Sequence, residues 1–272
     1  MITFPKAKIN LGLRVTAKRD DGFHDIETVL YPVRFCDALE FVPSRNGVEA
    51  DRLVVTGLST RIQSDKNLVM QASAKLRKKY PFPYLKIHLH KAIPVGAGLG
   101  GGSSDAAGML RAIKKCFSLQ VSEQELKEIA LEIGSDCPFF IESVPSFATG
   151  RGEILKPVKP VLQGYYVVLV NPRISISTRI AYHNSRPQVP ENSLEDLLDH
   201  PIAEWKDLII NDFEDYVFLV YPQIGTLKIA IYNTGALFSS MSGSGSTIYG
   251  IFPEIPIIPE HIKKYVIYEG WQ

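Results

Sequence analysis

Residues 94–110 read "PVGAGLGGGSSDAAGML", five glycines within seven positions followed at once by helix-forming residues. Glycine gives up more conformational freedom on ordering than any other residue, so this crowding calls for a compensating interaction. The stretch before it, "YLKIHLHKAI" (84–93), alternates through Leu85, Ile87 and Leu89 as a half-buried strand does. Residues 103–117 after it have the composition of a helix. Bare backbone between a strand and a helix lets peptide N–H groups point at an anion, and the helix dipole adds to the attraction. Phosphate is the natural guest. A flexible linker is the plainer reading, but a linker rarely joins a well-patterned strand to a helix in a compact lobe.

Two common phosphate motifs do not fit. Gly96, Gly98 and Gly101 satisfy G-x-G-x-x-G, but the dinucleotide fingerprint also needs an acidic residue about 20 positions on, at a strand end. Here Glu123 and Glu125 open a helix instead. No Lys follows the glycines, so the P-loop pattern fails as well.

Working outward, residues 7–17 alternate strictly: Ala7, Ile9, Leu11, Leu13 and Val15 on one face, Lys8, Asn10, Gly12, Arg14 and Thr16 on the other. This predicts a strand with one core face and one polar face. "IETVLYPV" and "DRLVVTG" read as further strands. Residues 64–80 read as a helix with a polar start and a basic last turn. A second helix opens at a capping box, Ser122 with Glu125, and ends at Gly134. Residues 145–160, rich in Pro and Gly, read as a seam between lobes. "YYVVLV" (165–170) reads as a buried strand, residues 178–217 as short helical pieces broken by prolines, and "GALFSSMSGSGSTIYGIF" as strand, Gly/Ser turn, strand.

Lys and Arg number 30 against 29 Asp and Glu, a net charge of +1, and the basic residues are scattered. That balance argues against a nucleic-acid or membrane-surface binder. The first residues lack the apolar core of a signal peptide, and no stretch reaches the roughly 18 apolar residues of a spanning helix. Three widely spaced cysteines suggest reduced thiols and a cytoplasmic protein. His88 and His90 share a strand face, but with no third ligand nearby a polar surface is the simpler account.

Three segments together resemble one family. "PVGAGLGGGSSDAA" resembles the phosphate loop of the GHMP kinases, "KAKINLGLRV" their first motif and "SSMSGSGSTIYGIF" their glycine-rich third motif, in family order from Pro5 to Phe252. "P-x-A-K-I-N-L", "D-G-F-H", the triple glycine before Ser-Ser and "G-S-D-C-P-F-F" point to members that phosphorylate a cytidine-diphosphate-linked methylerythritol at its 2-hydroxyl. The resemblance implies an α+β fold of two lobes, residues 1–152 resembling a ribosomal-S5-like fold and residues 153–272, with the active site in a cleft. Segments are expected to cross between the lobes.

It also implies roles. ATP is the phosphoryl donor, its phosphates over Pro94, Val95, Gly96, Ala97, Gly98, Leu99, Gly100, Gly101, Gly102, Ser103 and Ser104. Lys91 and the "DKNL" segment with Asn67 line the nucleoside pocket, and Ser103 approaches Mg2+. Asp136 matches the catalytic aspartate, which accepts the hydroxyl proton or orients the alcohol. Lys8 matches the catalytic lysine, whose ammonium stabilises a developing alkoxide. Asn10, facing the same way as Lys8, is expected at the substrate. His24 matches the reader of the cytosine edge. Phe23 stands where a tyrosine is common, which keeps the ring and loses the hydroxyl. Tyr182 is the candidate for a second aromatic, with Pro172, Thr178 and Gly243 in matching substrate segments. A monomer or weak homodimer is expected, with no nucleic-acid or membrane partner.

Taken singly, Lys8 reads as a solvated strand residue and Asp136 as an ordinary helix cap. The alternatives are another kinase of the family acting on homoserine, mevalonate or a sugar, a nicotinamide-dependent oxidoreductase, and a non-catalytic nucleotide-binding module.

Overall fold

A computed structural model describes residues 1–45, 47–58 and 66–272. The chain divides into two compact units built from interleaved segments. Met1–Ala7, Phe35–Val95 and Gly100–Val144 form the first; Lys8–Arg34, Gly96–Leu99 and Pro145–Gln272 form the second.

The first unit carries a four-stranded sheet of β1 (Ile2–Thr3), β4 (Ala38–Pro43), β6 (Leu85–Lys91) and β5 (Arg52–Gly57), in that order. β4 runs antiparallel to β6, while β5 and β6 are parallel and joined through a helix, as parallel neighbours require. That helix is α1 (Leu68–Lys79), capped by Asn67, whose side chain accepts the N–H of Val69. It begins later than the expected residue 64. Ser64 and Asp65 of that expectation, the latter also in the "DKNL" segment, lie outside the described residues. α2 (Gly101–Cys116) follows the glycine-rich loop and buries Ala106, Met109, Leu110 and Ile113. α3 (Glu123–Leu131) is capped by Ser122 as expected, and α4 (Phe139–Glu142) is a single turn. The Glu125 carboxylate accepts from the Tyr80 hydroxyl at 2.5 Å and from Lys79, so it is spent on the end of α1.

The second unit holds two four-stranded sheets. One is β2 (Lys6–Lys18), β3 (His24–Cys36), β7 (Ser146–Thr149) and β8 (Ile154–Pro157), apart from the two residues of β2 and of β3 that lie in the first unit. The other is β10 (Phe238–Met241), β11 (Ile248–Phe252), β9 (Tyr166–Val170) and β12 (Val266–Trp271), antiparallel throughout. A core of Leu13, Val15, Ile26, Val168, Val170, Phe213, Ile248 and Phe252 joins residues of both sheets and of the helix Phe213–Val220.

Two expectations need correction. Residues 145–160 are more than a seam: the change of unit falls at Val144/Pro145, and beyond it β7 and β8 pair from Ser146↔Pro157 to Thr149↔Ile154. Gly150 at φ +66° turns that hairpin. β2 does not have a solvated polar face either. Lys8 and Asn10 are 4% and 3% exposed, as deeply buried as the apolar residues between them. A charged group withdrawn from water needs partners, and these define the site.

Candidate active site

Exposure alternates along the glycine-rich loop. Ala97 and Leu99 are buried and anchor it, while Pro94 is half-buried and Val95 exposed. Alternating with the anchors, Gly96, Gly98 and Gly100 adopt φ values of 68°, 79° and 67°. Such repeated left-handed residues are the material of backbone anion nests. α2 starts from Gly100 with no side-chain cap bond and no acidic residue in its first turn. Its leading N–H groups are therefore open to an outside anion.

Within the second unit the loop is gripped from beneath. Lys8 donates its backbone N–H to Leu99 O at 3.0 Å and its Nζ to Gly98 O at 2.9 Å. The Ser242 hydroxyl donates to the same carbonyl at 2.8 Å, and Thr247 N–H donates to Ala97 O. In a planar trans peptide the N–H points opposite to the C=O. Holding Gly98 O toward Lys8 and Ser242 thus aims Leu99 N–H away from them. Gly98 is indispensable here, because a Cβ would lie 1.9 Å from Ser242 O. A Cβ on Gly243 would lie 3.2 Å from Asn10 Oδ1 and 3.4 Å from Gly98 O, so the third glycine-rich motif supports the loop.

Asn10 serves Lys8. Its Oδ1 accepts from Lys8 Nζ at 2.5 Å, and its Nδ2 donates to Thr28 Oγ1 at 2.9 Å. The Thr28 hydroxyl passes its own proton to Gly12 O at 2.6 Å. One ordered chain of donors and acceptors therefore orients the lysine.

A second cluster in this unit is aromatic. The His24 and Tyr182 rings stack with centroids 5.1 Å apart and planes 18° from parallel. Phe213 braces Tyr182 edge-on at 4.8 Å. Burial, with the charge of Lys18, holds the His24 imidazole below its ordinary pKa, so it stays neutral and keeps one donor and one acceptor. Phe23 is 52% exposed, and the Arg151 guanidinium lies 4.9 Å over its ring. Thr178, at the start of α5 (Thr178–His183), shares a hydrogen bond with the Ser244 hydroxyl at 2.8 Å. Pro172 is half-buried and follows Asn171, which donates to Thr247 Oγ1 at 2.8 Å.

In the first unit, Asp136 sits half-buried in the turn between α3 and α4. The helix that follows starts from Pro138, two residues after it. The same turn brings Cys137 to hydrogen-bonding reach of the half-buried Ser103 in the first turn of α2. Burial pushes that thiol up to about 11, against the pull of the Ser103 hydroxyl. Ser104 is buried beside it, and its N–H closes on Gly100 O at 2.9 Å. Gly102 is exposed, and Gly101 packs against Ile93. His88 and His90 both bond the Thr56 hydroxyl. Among the described residues no three His, Cys, Asp or Glu side chains converge to hold a metal.

The family model described as "GHMP kinases N terminal domain" matches residues 67–143, and "GHMP kinases C terminal" matches residues 193–258. A curated protein of Bacteroides thetaiotaomicron, named 4-diphosphocytidyl-2-C-methyl-D-erythritol kinase, is 47% identical over 96% of this chain and 95% of its own. The chain belongs to the GHMP kinase family. A protein of the same name from Parabacteroides distasonis is 46% identical over 98% of this chain and 96% of its own. Among solved structures, a 4-(cytidine 5'-diphospho)-2C-methyl-D-erythritol kinase superposes with a TM-score of 0.78 at 30% identity, covering 92% of this chain and 90% of that one. A homoserine kinase from Cytophaga hutchinsonii reaches 0.65 at 17% identity over 96% of this chain and 87% of that one, a likeness of fold.

In GHMP kinase terms, the structure brings first and third motifs together beneath the phosphate loop, and it brings His24 to Tyr182. Two expected nucleotide residues are occupied otherwise. Asn67 spends its Oδ1 capping α1, and Lys91 Nζ bonds two carboxylates, Asp37 and Asp105. Sequence reasoning passed over Thr28, Ser242, Asp37 and Asp105. A signal existed for the last pair's partner: Lys91 continues the inward phase of Leu85, Ile87 and Leu89 along β6.

Proposed function

We propose that this chain transfers the terminal phosphoryl group of ATP to the 2-hydroxyl of 4-(cytidine 5'-diphospho)-2-C-methyl-D-erythritol, a step of non-mevalonate isoprenoid precursor synthesis. The observation that carries the acceptor assignment is the His24 ring stacked on Tyr182. A ring edge with one donor and one acceptor suits a pyrimidine base, with Tyr182 backing the His24 ring and the exposed Phe23 ring as the stacking face. The near-full-length likeness to kinases of that name supports the same acceptor.

Phosphoryl transfer asks a protein for positioning and charge stabilisation more than for covalent chemistry. The peptide groups of Pro94 to Gly102 and the open start of α2 receive the phosphates. Lys8, oriented by Asn10 and Gly98 O, stabilises charge on the attacking oxygen, and Asp136 takes or orients its proton. Thr178, Pro172 and Gly243 border the acceptor. Mg2+ fits this donor set, because it is usually held by substrate phosphates with few protein ligands. The Ser103 hydroxyl, in a first turn free of carboxylates, is the group to approach it. When bound, the metal screens phosphate charge. We assign phosphate handling to residues 1–152 and acceptor handling to 153–272 with β2 and β3. A cytoplasmic enzyme, monomeric or weakly dimeric, completes the reading; among the described residues no helix is long and apolar enough to cross a membrane.

Steady-state assays with the cytidyl alcohol, homoserine and mevalonate test it. Turnover is expected with the first. Phe23→Ala should raise the KM for that alcohol roughly tenfold to a hundredfold, the worth of one base stack, and leave the KM for ATP unchanged. Turnover of homoserine or mevalonate alone, or equal KM values in the variant, overturns the acceptor assignment.

A further inference from the structure

Asp37, Lys91 and Asp105, all of the first unit, are 1%, 3% and 2% exposed. Lys91 Nζ donates to Asp105 Oδ2 at 2.7 Å and to Asp37 Oδ2. The other oxygen of Asp37 accepts the backbone N–H groups of Ala92 at 2.6 Å and Ile93 at 2.9 Å. Asp37 is itself held, since its N–H donates to Pro5 O at 3.0 Å. The ammonium therefore ties the last peptides before the glycine-rich loop to the second turn of the helix after it. Gly101 packs close over the ammonium: a Cβ there would lie 3.3 Å from Lys91 Nζ.

Stability alone is a poor account of this arrangement. Burying an ion pair together with a second carboxyl is costly, and apolar residues of similar volume often serve as well or better. The count is also unbalanced, two carboxyls to one ammonium. Asp105 Oδ1 is buried without a hydrogen-bond partner, and burial with the charge of Asp37 pushes Asp105 up to about 8 against the pull of Lys91. A group so costly is better explained by what it holds. A glycine-rich loop has almost no side chains to fix its shape, so its two ends must be fixed instead.

We propose that Asp37, Lys91 and Asp105 are positioning residues for the nucleotide: their buried bridge clamps both ends of the phosphate loop, and none of them touches the ligand. The inference rests on the ATP-binding reading above. It moves Lys91 from a contact in the nucleoside pocket to a support beneath the loop.

Calorimetric binding of ADP to the full chain, with thermal melting alongside, tests it in Lys91→Met, Asp105→Asn and the double variant Lys91→Met/Asp105→Leu. ADP needs no alcohol, so an error in the acceptor assignment leaves this measurement intact. Lys91→Met should weaken ADP at least tenfold and lower the melting temperature. Asp105→Asn should weaken ADP at least threefold, because it loosens the clamp. The double variant should regain most of the lost melting temperature and keep the tenfold loss. If Asp105→Asn binds ADP as well as or better than the native chain, the freed ammonium contacts nucleotide and the proposal fails. It fails equally if the double variant binds ADP with native affinity, since the bridge would then only fill the core.

Discussion

At the scale of single residues, burial separates a working lysine from an ordinary one. Lys8 alternates with apolar neighbours like any half-exposed strand residue, yet it is 4% exposed and spends its ammonium on Gly98 O and Asn10 Oδ1. Both partners are neutral acceptors that fix the direction in which the ammonium points. We expect Lys8→Ala to lower kcat about 10^2- to 10^3-fold, the usual worth of one preorganised charge at a developing oxyanion, with a smaller change in the KM for ATP. Rapid-quench measurement of the phosphoryl-transfer step checks this, and a kcat within threefold of native removes the role. Asp136→Ala should give a comparable loss of kcat, typical of a general base, with a smaller change in the KM for ATP.

At the scale of elements, the loop and α2 were legible and their supports were not. Glycine spacing and a carboxylate-free helix start are local features, so the loop and the helix that follows it could be read from residues 94–110 alone. The period-two strand at 85–91 and the continuous apolar strand at 166–170 were equally plain, as was the Ser122 cap. The floor beneath the loop was hidden because its parts are remote in sequence: Ser242 lies 144 residues from Gly98, and Asp37 lies 54 from Lys91. Local periodicity carries no information on such pairs. The loop's dependence on Ser242 predicts that Gly98→Ala does more than strain the backbone. A left-handed φ costs a non-glycine residue about 1–2 kcal/mol, and the 1.9 Å approach to Ser242 O adds displacement of the loop. Its expected signature is a KM for ATP raised tenfold or more with a drop in melting temperature. A rise no larger than for Gly96→Ala, whose Cβ would meet nothing within 4 Å, contradicts the account.

At the scale of the whole molecule, the buried bridge gives stability a pH dependence. Asp105 titrates at about 8 in the folded chain and near 3.8 when unfolded. Between those values the folded state holds a proton that the unfolded state has released, so stability falls as pH rises. The contribution is complete below 3.8 and gone above about 8, at no more than about 1.4 kcal/mol per pH unit. Urea unfolding of the native chain and Asp105→Asn from pH 5 to 8 should show the variant gaining relative stability as pH rises. A constant difference refutes the linkage.

The chain passes from one unit to the other at residues 7/8, 34/35, 95/96, 99/100 and 144/145. Residues 8–34 precede β7 and β8, the strands that complete their own sheet, by more than a hundred residues. That segment, with its buried lysine and asparagine, finds polar partners as far along the chain as Gly98 and Ser242, so its folding waits on remote parts of the chain in a way that a beads-on-a-string architecture would escape.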